Sequence, residues 1–206
     1  YILDDVNPGE FMMGAASKWW LYHSLNKLNE SLKGKLLVYK GNPSEVFKEL
    51  TAKHDISYIS WNRCYEPWRI KRDKDLKKEL ENEGIKVESF CGSLLWEPWN
   101  ISKDDGTPYR VFTPFYKKGC LNYEEPRLPT KVHELSNIYS DFIESDGIDS
   151  LNLIPKVDWY AGFEDEWNPG EQGAEDSLDR FLDNGLLNYK EGRNFPSQLF
   201  VSRLSP

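Results

Sequence analysis

The sequence predicts an α/β, doubly wound fold with a mostly parallel sheet. Three observations carry that reading: short apolar runs alternate with stretches of helical periodicity, Gly and Pro punctuate the joins between them, and the spacing is that of βαβ units. At 206 residues, with 39% apolar and 14% aromatic content, the chain can fill the core such a fold needs.

Tyr1-Ile2-Leu3 reads as a strand ending at Asp4-Asp5. After Gly14, Leu21, Leu25, Leu28 and Leu32 recur at steps of four, three and four, which predicts an amphipathic helix closed by Gly34. Leu36–Tyr39 is expected as a strand, Gly41-Asn42-Pro43-Ser44 as a turn, and Glu45–Lys53 as a helix with Val46, Phe47 and Leu50 on one face. Ile56–Trp61 is the next expected strand. Pro67 then suits the first turn of a helix running to Glu83, because its missing N–H is unneeded there, and Ile85–Phe90 follows as a strand. Beyond Phe115 the pattern changes. Lys131–Glu144 is expected as a helix, Ser145–Trp167 as a connection, and Gly170–Glu191 as a helix with Leu178, Phe181, Leu182 and Leu186 on its apolar side. The expected domains are 1–115, 116–191 and 192–206: an α/β domain, a linker with helices, and the opening of a further domain.

Composition excludes several classes. No apolar run approaches the roughly 18 residues of a membrane span, so no membrane partner is expected and a cytoplasmic location is the default reading. Cys64, Cys91 and Cys120 form neither a disulfide framework nor a metal clip and read as reduced, mostly buried thiols, with no metal expected. The net charge of −8 is lopsided: residues 1–115 carry 17 Lys+Arg against 17 Asp+Glu, and residues 116–206 carry 9 against 17. An acidic segment opposes the counterion displacement on which DNA binding relies, so weak or no DNA binding is expected of this chain alone. Phosphate-loop, nucleophile-elbow and HExxH patterns are absent, and His23, His54 and His133 are far apart, so no catalytic residue is nominated.

Two blocks hold chemistry-bearing side chains outside any periodic pattern. Trp61–Trp68 (WNRCYEPW) leaves a strand and enters a helix, which puts Asn62, Arg63 and Glu66 where open α/β sheets bind ligands. Those residues also have structural uses: Glu66 can complement the helix start, Arg69 can pair with Asp73, and Trp61 and Trp68 can pack. Phe90–Phe115 is dense in Pro, Gly and aromatics, and Trp96, Trp99, Tyr109, Phe112 and Phe115 offer planar surfaces for a conjugated ring.

Together the blocks GAASKWWLYHSL (14–25), WNRCYEPW, Arg72-Asp73, GSLLWEPW (92–99), GTPYRVFTPF (106–115), WNPGE (167–171) and SRLSP (202–206) resemble the DNA photolyase and cryptochrome family across nearly the whole chain. The resemblance implies an amino-terminal α/β domain that holds a light-harvesting antenna, a deazaflavin, flavin or folate. In the full-length parent a helical domain would bind FAD and damaged DNA, and reduced FAD would split pyrimidine dimers. It implies antenna contacts at Asp4, Met13, Ser17, Asn62, Glu66 and Thr107, and flavin contacts at Ser202 and Ser205. Thr107 replaces the acid of folate-type relatives and Ser17 an arginine of other relatives. Val201 departs from the family's Thr. A cryptochrome photoreceptor and a stand-alone nucleotide- or flavin-binding module are the alternatives.

The resemblance also implies strand order 3-2-1-4-5 with the first, central strand absent from a chain that opens abruptly and stops where the flavin domain begins. The gap is expected to close by direct pairing of Tyr1–Leu3 with Ile56–Trp61, or by a homodimer through exposed sheet edges.

Overall fold

Leu21 and Leu25, one turn apart, give the first long helix its buried side. In the computed structural model, which describes residues 1–128, 130, 138 and 143–198, that helix is α1 (Ala15–Ser31). It ends where Gly34, at φ +78°, donates its N–H to the Asn29 carbonyl at 2.8 Å. The structure divides into two units, Tyr1–Leu3, Glu10–Lys40 and the described part of Leu135–Pro206 in one, Asp4–Gly9 and Gly41–Glu134 in the other.

In the first unit β1 (Ile2–Leu3) pairs in parallel with β2 (Tyr39–Lys40). Leu3, Leu25, Val38, Leu151 and Leu153 form the core, with Leu21, Tyr22, Leu36 and Ile148 packed against it. The expected strand Leu36–Tyr39 shortens for a visible reason. Ser145 Oγ accepts from the Val38 N–H at 2.8 Å and donates to the Val38 carbonyl at 2.9 Å, so a side chain occupies both of that residue's backbone groups. Trp19 is buried beside His23, Tyr160 and Phe163, and Trp20 meets Trp167 edge-on. The expected helix 170–191 is Glu171–Asn184, followed by single turns after Gly185, and Leu178, Leu182 and Leu186 are exposed instead of buried. The expected helix Lys131–Glu144 falls almost wholly outside the described residues.

In the second unit Asn42 caps α2 (Pro43–Lys53), accepting from the Ser44 N–H at 3.1 Å. Next come β3 (Tyr58–Asn62), α3 (Pro67–Asn82) and β4 (Lys86–Phe90). β3 and β4 are parallel, with Tyr58 opposite Lys86 and Asn62 opposite Phe90. This β-α-β crossover buries Leu76 and Leu80 of α3, four residues apart, against Ile59, Ile85 and Val87, flanked by Phe47, Ile56 and Trp61. Both ladders are parallel, and the pairs β1-β2 and β3-β4 are neighbours in the expected order.

The expected direct pairing of β1 with the Ile56–Trp61 strand is corrected: among the described residues each strand pairs only within its own unit. β1 spends its ladder on β2 and stops at Asp4. There the carboxylate, 3% exposed, accepts from the Val6 and Asn7 N–H groups and from Arg72 at 3.1 Å, turning the chain away from strand geometry. The expected Arg69–Asp73 pair is also replaced, because Asp73 bonds Arg72 at 2.7 Å.

Leu80→Ala, at a core side chain 2% exposed, should lower the unfolding free energy by about 3 kcal/mol in urea titrations followed by circular dichroism. Leu187→Ala, at a side chain 93% exposed, should leave it unchanged.

Candidate functional site

The carboxyl ends of β3 and β4 and the start of α3 border a cleft of about 660 Å³, lined by Asn62, Arg63, Cys64, Tyr65, Glu66, Arg69, Gly92 and Ser93. The backbone builds it directly from the crossover. The ladder runs one bond past β3, with the Arg63 N–H donating to the Phe90 carbonyl at 2.8 Å. Glu66 then occupies the residue before α3 in extended backbone, and Pro67 begins the helix. Gly92 leaves room for Asn62 as placed: a Cβ there would lie 2.3 Å from Asn62 Cγ, so any other residue would displace that side chain.

A buried polar knot holds the loop after β4 against this edge. Glu97, 8% exposed, accepts at Oε1 from Arg63 Nε at 2.8 Å and from Arg63 Nη2, and at Oε2 from the Tyr65 hydroxyl at 2.7 Å. Arg63 Nη1 donates to the carbonyl and the hydroxyl of Ser89, and the guanidinium lies over the Trp99 ring at 5.7 Å. Burial disfavours a charged Glu97, yet Tyr65 and Arg63 outweigh it and hold the carboxyl below its ordinary range. Burial and the bond to Glu97 together carry the Tyr65 hydroxyl far above the ordinary phenol value. The loop is tied further by Trp96 Nε1 donating to the Glu124 carbonyl and Arg127 Nη2 to that of Cys91, both at 2.8 Å.

Arg69 differs from Arg63. Its Nη1 reaches only the Cys64 sulfur at 3.5 Å, and Glu66 Oε1 stands 3.7 Å away. Its Nε is buried without a hydrogen-bond partner. The three cysteines are free thiols, but only Cys120 is buried, while Cys64 and Cys91 are half-buried. Among the described residues no group of three His, Cys, Asp or Glu side chains could hold a metal ion.

Of the residues named from sequence, Asn62, Arg63 and Glu66 meet in the cleft. Asp4 is in the same unit but not in the cleft lining, its oxygens engaged by Val6, Asn7 and Arg72. Thr107 is exposed in a turn with Asp105, which accepts from its N–H at 2.9 Å and its hydroxyl at 2.6 Å. Met13 and Ser17 belong to the first unit, Met13 half-buried ahead of α1 and Ser17 exposed in its first turn. Ser202 and Ser205 lie outside the described residues. Sequence reasoning did not assign Arg69, Gly92 or Ser93 to the site, nor Glu97 to the knot that supports it. The repeated Glu-Pro-Trp of WNRCYEPW and GSLLWEPW was the available signal, because both blocks follow strands that the crossover places side by side.

The fold is α/β, with a cleft at the carboxyl ends of two parallel strands. The family model described as DNA photolyase matches residues 1–133. A deoxyribodipyrimidine photo-lyase of Agrobacterium fabrum is 38% identical over 94% of this chain and 41% of its own length. Cryptochrome-1 of Arabidopsis thaliana is 30% identical over 96% of the chain and 30% of its own length. The crystal structure of a bacterial class III photolyase from Agrobacterium tumefaciens superposes with a TM-score of 0.87 at 36% identity, covering all of this chain and 43% of that one. The chain belongs to the DNA photolyase family, as its motifs indicated, and it spans less than half the length of these relatives.

Because Glu97 is held below its unfolded value, its contribution to stability is present above the ordinary carboxylate range and is lost as pH falls through the folded value. Glu97→Gln should therefore lower the unfolding free energy by about 2 kcal/mol at neutral pH. The gap between wild type and variant should narrow as pH falls below the ordinary carboxylate range and close only below the folded value, measured by denaturation at stepped pH.

Proposed function

We propose that this chain is the light-harvesting part of a DNA photolyase, and that the cleft at the ends of β3 and β4 holds an antenna chromophore. One observation carries the reading: a cleft at the carboxyl ends of parallel strands presents Asn62, Ser93 and an arginine whose buried Nε has no hydrogen-bond partner among the described residues. That donor set fits the carbonyl and acidic groups of a deazaflavin, flavin or folate. When bound, such a group supplies absorption in the near ultraviolet or blue. Asn62 and Arg69 would donate to its acceptors, Glu66 would accept from its ring N–H groups, and the Arg63–Glu97–Tyr65 knot would keep the wall fixed.

In the full-length protein, excitation would pass to FAD bound beyond this half, and reduced FAD would split pyrimidine dimers in damaged DNA. The names of the Agrobacterium relatives support that reading. The exposed Trp99, Val111 and Phe112 support it as well, since apolar surface of this kind suits packing against further protein. A cryptochrome photoreceptor is the second reading, favoured by the likeness to cryptochrome-1.

The purified chain, beside its full-length parent, should show a near-ultraviolet or blue absorption band that Asn62→Ala with Arg69→Ala removes while the circular dichroism is retained. A band absent from both proteins, or unchanged by the substitutions, overturns the antenna reading.

DNA contact is assigned to the remainder of the parent because residues 116–206 hold the whole net charge of −8. In gel shifts at about 0.15 M salt, the chain alone should fail to retain a dimer-containing oligonucleotide that the parent retains.

A further inference from the structure

We propose that Arg69 is the specificity-determining residue of the cleft and selects ligands with an anionic tail, a phosphate or a carboxylate, over their neutral counterparts. The inference rests on the cleft being the chromophore site. It comes from the unequal use the protein makes of its two cleft arginines.

Arg63 has most of its donors engaged within the protein. Nε and Nη2 bond Glu97, Nη1 bonds Ser89, and the mostly buried Glu97 carboxylate neutralises its charge. Arg69 is the converse. Nη1 has the Cys64 sulfur, a weak acceptor, at 3.5 Å, and Glu66 is beyond hydrogen-bond reach at 3.7 Å with a half-exposed side chain free to turn to solvent. Nε is shielded from water and has no acceptor, a state that proteins seldom tolerate without a use.

The guanidinium is also held in place. It lies 5.1 Å from the centre of the Trp68 ring, and Arg72 lies 5.2 Å from the same ring. Arg72 in turn is fixed by Asp4 and Asp73. A planar fork in a fixed orientation suits the paired oxygens of a phosphate or carboxylate better than a single neutral acceptor. Asn62 and Ser93 add uncharged donors to the same lining, and the room for Asn62 depends on the missing side chain of Gly92.

The test uses two ligand pairs that differ by the acidic group, FMN against riboflavin and pterin-6-carboxylic acid against pterin, titrated into the chain by fluorescence quenching. In at least one pair the tailed member should bind about tenfold tighter. Arg69→Gln should abolish that preference by weakening the tailed member far more than the neutral one, and Arg69→Lys should recover part of it. Circular dichroism checks that both variants fold. Independently of any variant, inorganic pyrophosphate should displace the tailed ligand from wild type and leave the neutral one bound. Equal affinities within both pairs, a preference that survives Arg69→Gln, or indifference to pyrophosphate removes Arg69 from this role and leaves the antenna reading standing. Binding of none of the four overturns both.

Discussion

The Arg63–Glu97 pair is the interaction on which the rest of the second unit's site depends. A parallel β-α-β crossover brings two strand ends together but leaves the loops beyond them without a ladder to follow. Arg63 and Glu97 supply the missing connection between residues 34 apart in sequence, and Tyr65 uses the carboxylate's second oxygen. Burying the two charges is costly. It is tolerated here because Ser89 and Tyr65 satisfy most of the remaining donors and acceptors, and removing one partner would strand the other. Trp99 is set beside Arg63 by the same knot, so one ion pair orients a charged wall and an aromatic surface together.

Much of the fold was legible because periodicity and punctuation agree along the chain. α3 shows this best: Pro67 starts it, Leu76 and Leu80 give its buried side, and Gly84 at φ +83° follows it. Two features were not legible, and both turn on side chains taking over backbone bonds. Ser145 bonds both backbone groups of Val38 from more than a hundred residues away, so no local pattern could show that the strand would begin only at Tyr39. Asp4 reads as a polar end to an apolar run, yet its turn with Val6 and Asn7 is what ends β1 after two residues. The stripe of Leu178, Leu182 and Leu186 shows the limit of periodicity itself. It identifies a helix face without saying whether anything lies against it.

The site was half legible. Asn62 and Glu66 were singled out because they follow a strand and precede a helix, a topological argument that the cleft fits. Gly92 and Ser93 escaped because their place depends on the register of β3 with β4, and register is a tertiary fact. Arg69 escaped for another reason: an arginine four residues before an aspartate on a helix reads as half of a surface pair. In the structure Arg72 claims that aspartate. The binding-site nomination of Arg69 was thus hidden behind a competition between two cations for Asp73, which sequence spacing cannot resolve.

That competition also explains why local electrostatics, not net charge, governs this region. Residues 1–115 balance their formal charges, so no broad positive field draws an anion to the cleft. The proposed selectivity has to come from which cations are left uncompensated. Arg63 is matched by Glu97, and Arg72 by Asp4 and Asp73, each through short hydrogen bonds. Arg69 has only Glu66, farther off and half-exposed, and screening weakens such a contact most. On the proposed reading, a stretch of balanced charge can in this way still offer a directed cation, because the nearest carboxylates are committed to Arg63 and Arg72 and leave Arg69 lining the cleft.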